Sequence, residues 1–155
     1  MDKLDRKILA LFQPDTRRIA DAIGSEVGLS AAAVQRRLRA MRAAGTIRAE
    51  VAQLDPVALG VGITCVVTVS MAANSAPHLQ LDRFKRELAA APEVQQCYQV
   101  TGAMDFVVIV TAAAMEDYAS FARKWFEANP AVSRFDTHVV LDRVKVGLSL
   151  PISVD

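Results

Sequence analysis

A chain of 155 residues, 52% of them hydrophobic, is long enough for one ordinary domain or two small ones and apolar enough to bury a core, which excludes intrinsic disorder. Its 18 Lys plus Arg against 17 Asp plus Glu leave a formal net charge of +1, so total charge does not advertise nucleic acid. The sum hides two opposed parts. Residues 1 to 50 carry +4 and the remainder −3, an asymmetry that suggests a nucleic-acid-facing module joined to something else.

Cys65 and Cys97 stand far apart with no paired spacing, as expected of reduced thiols in a cytoplasmic protein. The start, Met1-Asp2-Lys3-Leu4-Asp5-Arg6, is charged and lacks the apolar run of a secretory signal. Between Asp55 and Asp82 no residue is charged, but the apolar part holds Gly60, Gly62, Thr64, Thr68 and Ser70 and falls short of the roughly 20 apolar residues that a spanning helix needs. No membrane association is expected.

In chain order, Leu4, Ile8, Leu11 and Phe12 form the stripe of an amphipathic helix that Pro14 and Asp15 close. Ala20, Ile23 and Val27 suggest a short second helix stopped by Gly28. Ser30 is the N-cap expected of a third, in which Val34, Leu38 and Met41 face inward until Gly45 ends it. That stripe turns Gln35, Arg36, Arg39 and Arg42 to solvent, with Arg37 on the flank. Five arginines and no acid lie between Val27 and Ala49. Ile47, Ala49 and Val51, alternating with Arg48, Glu50 and Ala52, predict a short strand before the Asp55-Pro56 break.

From Val61 the period becomes two. Val61 to Met71 predicts a strand, and Leu81, Phe84 and Leu88 a helix ended by Pro92. Val94 to Thr101 and Phe106 to Thr111 predict strands joined through Gly102. Tyr118, Phe121, Ala122 and Trp125 give a helix stopped at Asn129-Pro130, and Phe135 to Leu141 a fourth strand. Helix, proline and strand recur 38 residues apart, at Pro92 and Pro130. The order βαββαβ is that of a ferredoxin-like module: an antiparallel sheet with helices on one face and the other face uncovered. A free face rich in Val, Thr and Cys invites a second copy of the chain. The fold class is thus α+β, with an N-terminal winged helix-turn-helix and a C-terminal ferredoxin-like domain. The expected boundaries are residues 1–46 for the helical domain, 47–60 for a linking strand and hinge, and 61–155 for the second domain.

Three short helices, the third capped by Ser30 and rich in arginine, describe a double-stranded DNA reader. The major groove, ~12 Å wide, admits one helix, arginine forks match guanine edges and phosphates, and the capped end presents N–H groups to phosphate. Ser30, Gln35, Arg36, Arg37, Arg39, Arg42 and Arg48 are the candidate DNA-binding residues. The bland alternative is a solvated basic face on a structural helix, which the absence of acids around the arginines disfavours.

These fragments carry a resemblance. Leu4-Asp5-Arg6-Lys7-Ile8-Leu9, Val27-Gly28-Leu29-Ser30, Val34-Gln35-Arg36-Arg37-Leu38, Ala44-Gly45-Thr46-Ile47 and Leu54-Asp55-Pro56 with Leu59-Gly60 resemble the signature of the Lrp/AsnC "feast or famine" transcriptional regulators. Cys97-Tyr98-Gln99-Val100-Thr101-Gly102-Ala103-Met104-Asp105-Phe106 is similar to that family's effector-binding turn. The resemblance implies a regulatory domain (RAM, ACT-like) that pairs through its sheet into a homodimer, often assembled into an octamer. It also implies a small-molecule effector, usually an amino acid, held between such domains. Carried over, it places Thr101, Gly102, Met104 and Asp105 at the effector, with Thr137 on the fourth strand as a hydroxyl donor. The family turn usually reads Gly-Asp-aromatic-Asp, whereas this chain has Gly102-Ala103-Met104-Asp105.

No nucleophile with a local base stands out, no cofactor is implied, and His78, His138, Cys65 and Cys97 lie at no metal-ligand spacing. The expectation is a regulator and not an enzyme. Two rivals remain: an enzyme on the same scaffold, as in sirohaem decarboxylases, disfavoured by Gln96-Cys97-Tyr98-Gln99 where those show a His-Asn-Tyr type motif, and a non-specific architectural DNA binder.

Overall fold

The computed structural model describes residues 1–72 and 77–154. The chain divides into two compact units, one of Met1–Gln53 with Lys145–Asp155 and the other of Leu54–Val144. The residues from Lys145 onward, expected from sequence within the span 61–155, pack with the first unit.

In the first unit, α1 (Lys3–Phe12), α2 (Ala20–Val27) and α3 (Ala31–Ala43) enclose a core of Ile8, Phe12, Ile23, Val34, Leu38 and Met41. Asp2 and Asp5 begin α1 with a reciprocal cap: the Asp2 carboxylate accepts from Asp5 N at 2.8 Å, and the Asp5 carboxylate from Asp2 N at 3.0 Å. Gly28 ends α2 in the left-handed region at φ 73°, where a side chain is strained. Gly24 has a reason that helix propensity does not reveal. A Cβ there would stand 2.3 Å from the Leu29 carbonyl oxygen, so the turn between α2 and α3 passes directly against it.

The strand expected at Ile47–Ala52 does not form; the segment is irregular and Val51 is exposed. Thr46 N and Ile47 N both donate to Met41 O, which folds the chain back on the end of α3, and among the described residues no strand lies alongside to complete a wing. Beyond it Asp55 caps its own turn, its carboxylate accepting from Val57 N at 2.9 Å.

The second unit holds β1 (Ile63–Met71), α4 (Pro77–Ala90), β2 (Val94–Gln99), β3 (Phe106–Ala112), α5 (Met115–Ala122), a π-helical turn (Arg123–Glu127) and β4 (Val132–Val139). The strands form an antiparallel sheet in the order β2-β3-β1-β4, as the βαββαβ pattern predicts. Cys65, Val67 and Val69 of β1 and Phe106, Val108 and Val110 of β3 point at the helices, against Phe84, Leu88, Tyr118, Phe121 and Phe126. The π-helical turn, closed by Ala128 N donating to Arg123 O, sends Phe126 into this core and leaves Trp125 half-buried at its margin. β4 starts and ends earlier than the sequence suggested. Asn129 O accepts from Val132 N and its side chain from Ala131 N, so the turn after Pro130 closes at once and the strand enters the sheet at Val132.

Because residues directly opposite in a sheet share a face, Val66, Thr68 and Ser70 lie with Val107, Ile109 and Thr111 of β3 and with Arg134, Asp136 and His138 of β4 on the side away from the helices. No helix is long and apolar enough to cross a membrane among the described residues.

Candidate nucleic-acid interface and effector turn

α3 is built as a presented helix. The Ser30 hydroxyl accepts from Ala33 N at 3.2 Å, as the sequence predicts, and the helix has no acid in its first turn. With Val34, Leu38 and Met41 buried, Gln35, Arg36, Arg39 and Arg42 are exposed along the opposite side. Arg36, Arg39 and, beyond the helix, Arg48 take part in no ion pair among the described residues. An uncompensated guanidinium in water is free to meet phosphate or a base edge.

Two of the predicted arginines are engaged within the unit. Arg37 Nη1 lies 2.7 Å from both the Asp2 and the Asp5 carboxylates, which ties the cap of α1 to the middle of α3. The backbone N–H of Asp5 and then Arg37 hold the Asp2 carboxyl below its ordinary range. Arg37 is therefore a fastener between helices and not a free contact. Arg42 sits 2.6 Å from Glu50 and 5.6 Å over the Phe12 ring, so it presents charge from a restrained position.

Beside α3 is a hollow of about 300 Å³ lined by Phe12, Thr16, Arg18, Ala20, Gln35, Leu38, Arg39 and Arg42. Thr16 and Arg18 were not among the predicted residues; the Arg17-Arg18 doublet just before α2 was the signal for them. Arg18 is paired with the Glu26 carboxylate. The hollow gathers three guanidinium groups, a hydroxyl and a carboxamide on one concave wall, a donor-rich lining suited to an anionic backbone.

In the second unit, the turn between β2 and β3 is closed by Val100 N donating to Asp105 O at 2.9 Å, with Gly102 at φ 120°. Thr101, Gly102 and Ala103 are exposed, Met104 and Asp105 half-buried. Asp105 is also a structural fastener: its N–H donates to Val69 O at 2.9 Å and its Oδ2 accepts from Met71 N at 2.7 Å. One carboxylate oxygen of Asp105 thus holds the end of β1. Thr137 is not brought there. It lies opposite Val67 on the helix-covered side, and its hydroxyl is hydrogen-bonded to that of Tyr118. Burial raises the Tyr118 pKa, and the Thr137 hydroxyl partly opposes that shift.

His138 lies opposite Val66 on the open face, and the side chain of His78 is outside the described residues. Burial pushes the thiols of Cys65 and Cys97 up from their ordinary pKa, as for inert packing groups. No cluster of three potential metal ligands occurs among the described residues.

Comparison with known proteins agrees over both units. Residues 1–42 match the AsnC-type helix-turn-helix domain and residues 64–150 the Lrp/AsnC ligand binding domain. The chain is 39% identical to the uncharacterised HTH-type transcriptional regulator y4tD of Sinorhizobium fredii, covering 99% of this chain and 90% of that one. An AsnC family transcriptional regulator from Agrobacterium tumefaciens superposes with a TM-score of 0.87 at 30% identity, over 97% of each chain. The transcriptional regulator NMB0573 of Neisseria meningitidis, solved as its L-Met complex, superposes with a TM-score of 0.86 at 26% identity, over 97% of this chain and 96% of that one.

Proposed function

The chain belongs to the Lrp/AsnC family of transcriptional regulators, and from that premise we propose how its own residues divide the work. α3 enters the major groove, Gln35, Arg36 and Arg39 meet base edges, and Arg42 and Arg48 meet phosphate. Two chains pair through the open sheet face, so that two readers address one duplex. An amino acid bound at the Thr101–Asp105 turn, held by exposed backbone groups and the second Asp105 oxygen, biases DNA binding, a coupling typically of ~1–3 kcal/mol. Thr137 and Arg37 have no part in this reading, since both are committed to internal partners.

The observation that carries it is that Arg36 and Arg39 stand without an ion pair among the described residues, on a helix whose other side, Val34, Leu38 and Met41, is buried. The test uses duplexes enriched by the purified protein from a random-sequence pool. Arg36→Ala and Arg39→Ala should each weaken binding by about 1–3 kcal/mol and relax sequence preference. Arg48→Ala should weaken all sequences alike and reduce the salt slope by about 1. Affinity unchanged in all three variants would remove α3 from the interface, and equal wild-type affinity for every duplex would make the protein an architectural binder.

A further inference from the structure

Residues 144 to 154 read Val-Lys-Val-Gly-Leu-Ser-Leu-Pro-Ile-Ser-Val. Every even position is apolar and every odd one charged, small or proline, the period of a strand with one apolar side. Yet no strand forms there, and from Lys145 the segment belongs to the unit of α1–α3, not to the unit it emerges from.

What fastens it is two glutamines. Gln13, the C-cap of α1, donates from Nε2 to Leu150 O at 2.9 Å and accepts at Oε1 from Leu150 N at 2.9 Å. A carboxamide carries the donor and acceptor of a peptide group, so one side chain satisfies both backbone groups of Leu150 as a neighbouring strand would. Gln53 donates to Val146 O at 3.3 Å. In an extended chain the backbone groups of residues four apart point to the same edge, so both hooks take one edge. The attachment is light along its first part: Val144, Leu148 and Leu150 are 89%, 72% and 70% exposed, and only Ile152 and Val154 beyond them are half-buried. A segment with little buried apolar surface and few bonds opens at low free energy.

Upstream the segment is continuous with β4, which leaves the sheet at Val139, opposite Cys65 at the start of β1. β1 runs from there to its far end, which Asp105 holds through Val69 O and Met71 N. We propose that residues 144–154 are a detachable strap, hooked on the reader by Gln13 and Gln53, through which the unit bearing the effector turn controls the reader's affinity for DNA. This rests on the DNA-binding reading above. Gln13 acts as a positioning residue: it holds the strap and touches no ligand.

The experiment uses the 155-residue chain with Gln13→Ala, and Gln53→Ala as an independent loosening at an exposed site. Backbone hydrogen exchange over residues 145–154 and affinity for the enriched duplex are measured with and without an equimolar pool of the twenty amino acids. Gln13 caps α1 through its backbone N–H to Leu9 O, which the substitution leaves in place, so far-UV circular dichroism should be unchanged. Exchange in the strap should quicken at least tenfold, DNA affinity should shift at least fivefold, and the response to the pool should shrink. Wild-type exchange rates in both variants, or a freed strap with unaltered DNA affinity, would overturn the proposal while leaving the regulator intact. Wild-type protein that binds no duplex would instead defeat the DNA-binding reading, and the strap's control of it with that.

Discussion

Gly24 sets two physical terms against each other. Alanine is favoured over glycine inside a helix by roughly 1 kcal/mol, and from sequence alone that term makes Gly24 a slight weakness in α2. The structure adds a carbonyl 2.3 Å from the site of the missing Cβ, and that carbonyl's residue is itself bonded, Leu29 N to Gly24 O at 2.9 Å. A backbone group fixed on both sides cannot yield as a flexible side chain would. Gly24→Ala should therefore lower the stability of the reader by about 1–3 kcal/mol, the usual cost of overpacking, seen as an earlier thermal transition by circular dichroism. An equal or higher midpoint would mean that the turn moves aside. Arg37 carries the same lesson for charge. A count of arginines identifies a basic helix, but only the fold brings Asp2 and Asp5, more than thirty residues away, onto one of them and so separates the fastener from the free contacts.

At the scale of elements, helices and paired strands were legible because each has a local period and a buried side to reveal. The strand expected at Ile47–Ala52 and the alternation at 144–154 have the period without the structure, since a period specifies a face and not the neighbouring strand whose N–H and C=O groups complete the bonds. The π-helical turn was likewise hidden: Phe121, Trp125 and Phe126 fit an ordinary helix, and only the core's demand for Phe126 shows that the last turn widens. Thr137 was assigned by resemblance to the correct strand, but its register opposite Val67 sends it to the helix side. Asp105 stands at the turn and also holds the end of β1. Two substitutions separate this structural bond from the proposed effector contact. Asp105→Ala removes the acceptor for Met71 N and should cost about 1 kcal/mol or more. Asp105→Asn keeps a carboxamide oxygen there and should retain most stability while losing the charge available to an amino acid's ammonium group. Calorimetric titration with L-methionine, the ligand of the Neisseria relative, is the readout where the wild type responds to it. Full ligand affinity in Asp105→Asn would exclude a charge role for this carboxylate.

For the whole molecule, the unfinished surface is the sheet face away from the helices. Val66, Val107 and Ile109 are half-buried there, Tyr98 beside them is 49% exposed, and Thr64, opposite Thr111, keeps a buried hydroxyl with no hydrogen-bond partner among the described residues. In the proposed pairing of two chains, this apolar centre is the surface that a second copy covers. A two-fold pair suits it, because each copy offers the same patch. Ile109 lies between Gln96 of β2 and Val66 of β1 on this face, so Ile109→Asp places a charge at its centre, where a dry partner surface cannot solvate it. Sedimentation should then find monomer at concentrations where the wild type is dimeric, with the circular dichroism of a folded protein. DNA binding tests the consequence. Two linked readers gain about 10²–10⁴ over one when both sites can be engaged, so the monomer should lose affinity on that order for a two-site duplex and little for a single site. A variant that stays dimeric would move the interface off the open face, and a monomer that binds both duplexes as the wild type does would show that each reader acts alone.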